Sequence, residues 1–189
     1  MFKHIATVIL LMAIAIVPQG AQARSEYCPS DLYQNPPAQR ASVFLRTDKT
    51  SYSLDGSLVI DAGVINAGTV PIYVYGWISW GYGGGLVIRL RDERGKEIAP
   101  VLRDDTMLPP ENDDPSMFVK LREEGDFFGT RREMEVKDLV KRPGKYTLQI
   151  EYRSPLSCKF VGSQLQRLPA LWHEDASIFS KQVPFEVTP

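Results

Sequence analysis

The stretch that most constrains this chain reads Pro143-Gly144-Lys145-Tyr146-Thr147-Leu148-Gln149-Ile150-Glu151-Tyr152. A proline-glycine pair turns the backbone, after which Tyr146, Leu148, Ile150 and Tyr152 alternate with Lys145, Thr147, Gln149 and Glu151. Successive side chains of a strand point to opposite faces, so this spacing predicts one apolar and one polar face. A half-buried strand of this kind suits an antiparallel sheet that covers a core on one side only. Two such sheets pressed together make a β-sandwich.

The same period recurs along the chain. Residues 42–47 alternate weakly, 48–57 are turn-rich and close on Asp55-Gly56, and 58–65 alternate cleanly. Asn66-Ala67-Gly68 reads as a tight connection to a hairpin partner at 70–75, with Pro71 at an edge or strand end. Further strands are expected at 86–91, 96–102, 132–136 (led into by 127–129) and 182–188, with a short helical or turn segment at 138–140. About seven to nine short strands and no long amphipathic helix predict an all-β domain. Residues 103–120, with three prolines, and 154–180 break the pattern, as a long loop and an excursion.

The amino terminus is of another kind. Met1-Phe2-Lys3-His4 precedes an apolar run over 5–17, then Pro18, Gly20 and small residues at Ala21 and Ala23. A short basic head, an apolar middle and a small-residue cut site predict a cleaved secretory signal over 1–23. Residues 24–41 are then a proline-bearing arm and 42–189 a single domain. Cleavage removes one lysine and no acid from 22 basic and 23 acidic side chains, leaving a slightly negative chain. That balance gives no electrostatic reason to bind nucleic acid or an anionic membrane, and no membrane insertion is expected after cleavage.

An exported chain meets an oxidising compartment, where its two cysteines, Cys28 and Cys158, are best read as a pair. Joining them closes a loop of about 130 residues, stabilising by on the order of 5 kcal/mol in the chain-entropy model. An intermolecular bridge or a metal site is the alternative use.

Histidine supply limits the chemistry. His4 leaves with the signal, so His173 is the sole imidazole, and no Gly-x-Ser-x-Gly elbow accompanies it. His173-Glu174-Asp175 beside Trp172 reads either as a site or as a solvated loop with its tryptophan pinned to the rim. The acids Asp104, Asp105, Glu111, Asp113 and Asp114 are hard oxygen ligands of the kind calcium takes, but in no EF-hand frame; a solvated loop is the alternative. The glycine-rich span 76–85 carries Trp77, Trp80 and Tyr82. Flat aromatic faces on such a loop stack on sugars or receive apolar side chains, unless the sandwich buries them as core.

Asp48-Lys49-Thr50-Ser51-Tyr52-Ser53-Leu54-Asp55-Gly56-Ser57-Leu58, followed by an apolar strand and Asn66, resembles the opening of immunoglobulin-like sandwich domains in bacterial exported proteins. Macroglobulin-type and intracellular proteinase inhibitor-type domains open similarly. Pro143-Gly144-Lys145-Tyr146-Thr147-Leu148 is similar to the penultimate strand of that group, and Ser180-Lys181-Gln182-Val183-Pro184-Phe185-Glu186-Val187 to its last. The likeness covers 42–102 and 127–188. It implies an immunoglobulin-like antiparallel β-sandwich and fixes turns and core positions rather than an activity.

These readings combine into an exported, non-catalytic binding or accessory module, periplasmic or secreted. It docks a protein or glycan through Trp77, Trp80 and Tyr82 and needs no cofactor. The rivals are a protease inhibitor acting through an exposed loop, as the resemblance implies, and a hydrolase built on His173 or the acidic loop.

Overall fold

The computed structural model describes residues 36–81, 83–100, 114–123, 125–175 and 177–189. The signal, Cys28, Tyr82, Asp104, Asp105, Glu111 and Asp113 lie outside the described residues. The strands are β1 (Ala41–Thr47), β2 (Ser51–Ser53), β3 (Ser57–Asn66), β4 (Ile72–Tyr75), β5 (Ser79–Trp80), β6 (Gly85–Asp92), β7 (Glu97–Ile98), β8 (Phe118–Leu121), β9 (Phe127–Glu135), β10 (Gly144–Tyr152), β11 (Ile178–Phe179) and β12 (Val183–Thr188). Among the described residues two single-turn α-helices, α1 (Pro37–Arg40) and α2 (Val136–Leu139), and short 3-10 turns at Pro115–Met117, Cys158–Phe160 and Leu165–Arg167 punctuate the strands.

β10 occupies the place its alternation predicts. Tyr146, Leu148, Ile150 and Tyr152 are all buried, and the strand lies inside a seven-stranded sheet ordered β2-β12-β10-β6-β5, with β11 beside β10 and β7 beside β6. On its polar face Glu151 is also buried, beneath the guanidinium of Arg89, which reaches Glu97 at 3.0 Å as well. A three-stranded sheet, β1-β3-β9, supplies the opposing apolar face. Val43, Leu58, Ile60, Ala62, Val64 and Met134 from it join Leu86, Ile88, Leu90, Leu148, Ile150, Phe185 and Val187 from the larger sheet in one core.

Two features depart from flat antiparallel layers. The larger sheet curls into a half-barrel, and the pairs β2-β12 and β5-β6 are parallel. The first parallel pair arises because β1 and β2 behave as one edge strand that changes sheets across 48–50. Tyr52 fastens that crossing: its hydroxyl accepts from Lys49 N (2.9 Å) and lies within donating distance of Asp48 Oδ1 and Lys49 O. Asp48 Oδ1 in turn accepts Val59 N at 2.9 Å. The sheets also meet along one side, where Val43 bridges to Ser180.

The expected hairpin between 58–65 and 70–75 does not form. β3 already has β1 on one edge and β9 on the other, so no edge remains for β4. β4 pairs instead with β8, from Ile72 opposite Leu121 to Tyr75 opposite Phe118. Asn66, fully buried, redirects the chain. The two hydrogens on its Nδ2 are shared among the carbonyls of Val70 (2.9 Å), Leu121 (3.2 Å) and Arg122 (2.9 Å), while Oδ1 accepts Gly68 N (3.0 Å).

β4 is buried on both faces. Ile72 and Val74 face the main core, whereas Tyr75 joins a second cluster with Phe118, Leu156, Cys158, Leu165, Ala170 and Trp172. The excursion after β10 is therefore a cap. Its 169–171 segment runs beside β4, with Tyr73 N donating to Pro169 O and Leu171 N to Tyr73 O. Cys158 is fully buried within the cap.

Candidate binding surface

The span 76–85 is anchored at both ends. Gly76 N donates to Met117 O at 2.8 Å, and a Cβ there would sit 2.9 Å from that same carbonyl oxygen. At the other end Gly81 takes φ 94°, a conformation open to glycine, so that Gly85 N reaches its carbonyl at 3.0 Å. Gly81 N donates to Leu86 O and Ser79 N to Gly84 O, closing the span on itself.

Within that frame the side chains alternate. Ile78 and Trp80 turn inward and join the main core, while Trp77 turns out and stays 43% exposed. Trp80, expected among the docking aromatics, is a core residue at 4% exposure. The parity that presents Trp77 buries it. Tyr82 lies outside the described residues.

Neighbouring segments converge on this end. The contact of Gly76 with Met117 brings in 114–117, where Asp114 Oδ1 accepts Ser116 N at 2.8 Å. The Ser116 side chain and then its backbone N–H hold the Asp114 carboxyl below its ordinary range. Arg153 N donates to Gly85 O, so 153–155 borders the loop as well. Arg153 Nη2 lies 2.9 Å from His173 Nε2, and His173 Nδ1 lies 3.1 Å from Ser154 O. A carbonyl can only accept, so Nδ1 carries the proton and Nε2 accepts from the guanidinium. Both ring nitrogens are thereby engaged, one by a guanidinium and one by a carbonyl.

The acids beside His173 are likewise tied to their own loop. Glu174 accepts from the Ser157 hydroxyl and from Cys158 N. Asp175 Oδ2 accepts Trp172 N at 2.8 Å, and burial, with Glu174 adding to it, holds the Asp175 carboxyl above the usual range. Trp172 itself is buried edge-on to Phe118, ring centroids 5.4 Å apart. The set thus packs as the rim of the cap. Among the described residues no group of three or more His, Cys, Asp or Glu could hold a metal ion, nor is any helix long and apolar enough to cross a membrane.

One surface went unnoticed in the sequence. Phe127 is 64% exposed at the start of β9 and meets Phe44 of β1 edge-on, centroids 5.5 Å apart. Phe44 can reach it because Gly63 and Gly129 lie side by side beneath its ring. The signal was present in the spacing: Phe127, Gly129, Arg131 and Glu133 share one parity of a nine-residue strand, opposite to the buried Met134.

No family model and no curated protein matches the chain. Among solved structures it is similar to a β-glucosidase from Erythrobacter marinus, with 13% identity, over 78% of this chain and 15% of that one, at TM-score 0.35. It is also similar to the alkylpurine DNA glycosylase AlkC of Pseudomonas fluorescens bound to DNA with an abasic site analog, with 13% identity, over 79% and 31%, at TM-score 0.36. A β-glucosidase from Listeria innocua in complex with glucose gives 14% identity, over 79% and 16%, at 0.34. This chain thus spans less than a third of each. Likenesses of that size carry no argument about function.

Proposed function

We propose that this chain is an exported, non-catalytic binding module with an immunoglobulin-like sandwich fold. Its loop end, led by Trp77, docks a protein or glycan. The observation that carries the reading is the division of labour within 76–85: Ile78 and Trp80 anchor the loop in the core while Trp77 is left in solvent. A rigid loop that presents a large flat ring loses little conformational freedom on binding, which is what an aromatic anchor requires. The engagement of His173 by Arg153 and Ser154 favours docking over hydrolysis at the same end.

In this reading residues 1–23 are removed on export to the periplasm or beyond, and Cys28 pairs with Cys158 to hold the arm against the cap. Burial of Cys158 among Leu156, Val161 and Leu165 supports a structural rather than a reactive sulfur. No cofactor is invoked.

The test combines binding and stability. Wild type and Trp77→Ala are compared as baits for cell-envelope extract and on a glycan array, alongside urea unfolding. The expected result is a ligand retained by the wild type and lost by the variant, with the unfolding midpoint unchanged. Equal retention, or a variant destabilised by about 2 kcal/mol or more as a core residue would be, overturns the proposal.

A further inference from the structure

β9 is an edge strand whose outer side pairs with no strand among the described residues. Its hydrogen-bonding phase follows from its two ends. Asn66 N donates to Asp126 O, and Val136 N to Gly56 O, in the register that sets Ser57 opposite Glu135. Even-numbered residues of β9 therefore bond to β3, and Phe127, Gly129, Arg131, Glu133 and Glu135 turn their N–H and C=O groups to the open edge. Those five residues, paired with no strand among the described residues, are a template for another strand.

Edges that must stay single are usually guarded by charged side chains or by proline. This edge has no proline, and its charges, Arg131, Arg132, Glu133 and Glu135, are of both signs, so a second copy can match them. Arg131 and Glu133 lie two apart on one face, both exposed, with the guanidinium only loosely tied to Asp61 at 3.9 Å. The geometry points to a second copy of this chain as the occupant, with β9 pairing antiparallel to itself about Arg132. In that register Arg131 faces Glu133 of the partner subunit, and the two-fold axis repeats the pair. Both belong to the outward-bonding set, so the attractive pairs coincide with backbone hydrogen bonds.

The neighbouring registers are disfavoured. A shift of two residues one way sets Arg131 against itself, the other way Glu133 against itself, and like charges directly opposite destabilise a ladder. A shift by one sets the outer face of one strand against the inner face of the other. Arg132, on the axis, meets its own copy on the inner face, a like-charge pair that offsets part of the gain from the two Arg131–Glu133 pairs and adds to the weakness of the association. Glu135 of the partner subunit falls opposite Gly129, where its methylenes cover the tip of the Phe44 ring. The product is a continuous six-stranded sheet, β1-β3-β9 joined to its copy.

An edge contact of this length sits at the small end of specific interfaces, below about 1,200 Å², so association is weak and is measured by sedimentation up to about 1 mM protein. The full chain as purified is expected to self-associate. Glu133→Arg and Arg131→Glu, each placing like charges opposite, should each weaken association by about ten-fold or more. The double swap Arg131→Glu/Glu133→Arg should restore it, and circular dichroism should be identical in all four proteins. A wild type monomeric throughout the range overturns the proposal, as does a double swap no better than its parents. Glycan or protein capture through Trp77 is untouched by these variants, so the two readings fail separately.

Discussion

Replacing Asn66 by alanine tests a buried amide that ties three segments of the chain together. The amide is fully buried and serves the carbonyls of Val70, Leu121 and Arg122 and the N–H of Gly68. Alanine leaves the Leu121 carbonyl buried without its donor, costing about 1–3 kcal/mol. The three part-buried groups gain some access to water, and their lost hydrogen bonds cost about 0.5–1.5 kcal/mol each. The sum is about 2.5–7.5 kcal/mol, a large fraction of a domain's stability. The assay is urea unfolding followed by tryptophan fluorescence, with the midpoint expected to fall at constant slope. Asn66→Asp sharpens the case, because a carboxylate would face three carbonyl oxygens. Its folded pKa must then rise above the unfolded value of about 3.9. Stability relative to wild type is thus best below that value and is lost as pH rises through the folded pKa. A loss under about 1 kcal/mol for alanine, or an aspartate variant as stable as asparagine at neutral pH, would refute the hub.

Three further outcomes follow from the packing. Trp80→Ala should cost about 3–5 kcal/mol in chemical unfolding, whereas Trp77→Ala should stay within about 0.5 kcal/mol. Gly63→Ala should destabilise by about 1–3 kcal/mol, read as a lowered melting midpoint, because a Cβ there collides with the Phe128 carbonyl, Gly129 and the Phe44 ring. Burial works to raise the Asp48 pKa, but the hydrogen bonds from Val59 N and Tyr52 outweigh it, so the folded value is depressed. The resulting stability is present above the unfolded pKa and is lost as pH falls through the folded one. Asp48→Asn should therefore flatten the stability–pH curve below about pH 4, and an unchanged acid limb would exclude the role.

How much could be read beforehand depended on whether a residue's neighbours are near in sequence. β10 was legible because its burial follows from its own period, down to which face holds Tyr146 and Tyr152. β12 was legible for the same reason. β4 was misplaced because its partner, β8, lies beyond β5, β6 and β7, and because nothing in residues 58–75 reveals that β3 is already flanked by β1 and β9. The cap was invisible as a structure: Leu156, Leu165, Leu171 and Trp172 have no common period, since irregular backbone presents them. At the candidate site the alternation of Trp77, Ile78, Ser79 and Trp80 was plain, but glycines on either side uncouple its phase from the flanking strands. Which tryptophan faced outward was therefore open until the anchoring contacts of Gly76 and Gly85 were known.

The two-sided burial of β4 has a consequence for how the chain can change over time. Four residues form a party wall between two greasy rooms, so the outer room cannot be emptied without stripping plaster from the inner one. The exposed turn at Ser163 and Gln164, whose own side chains lie outside both clusters, is where length can be added. Deletion of residues 154–177 from the excursion would instead leave Tyr75 and Phe118 as a bare sticky plaque on the flank of the molecule, a surface prone to aggregation.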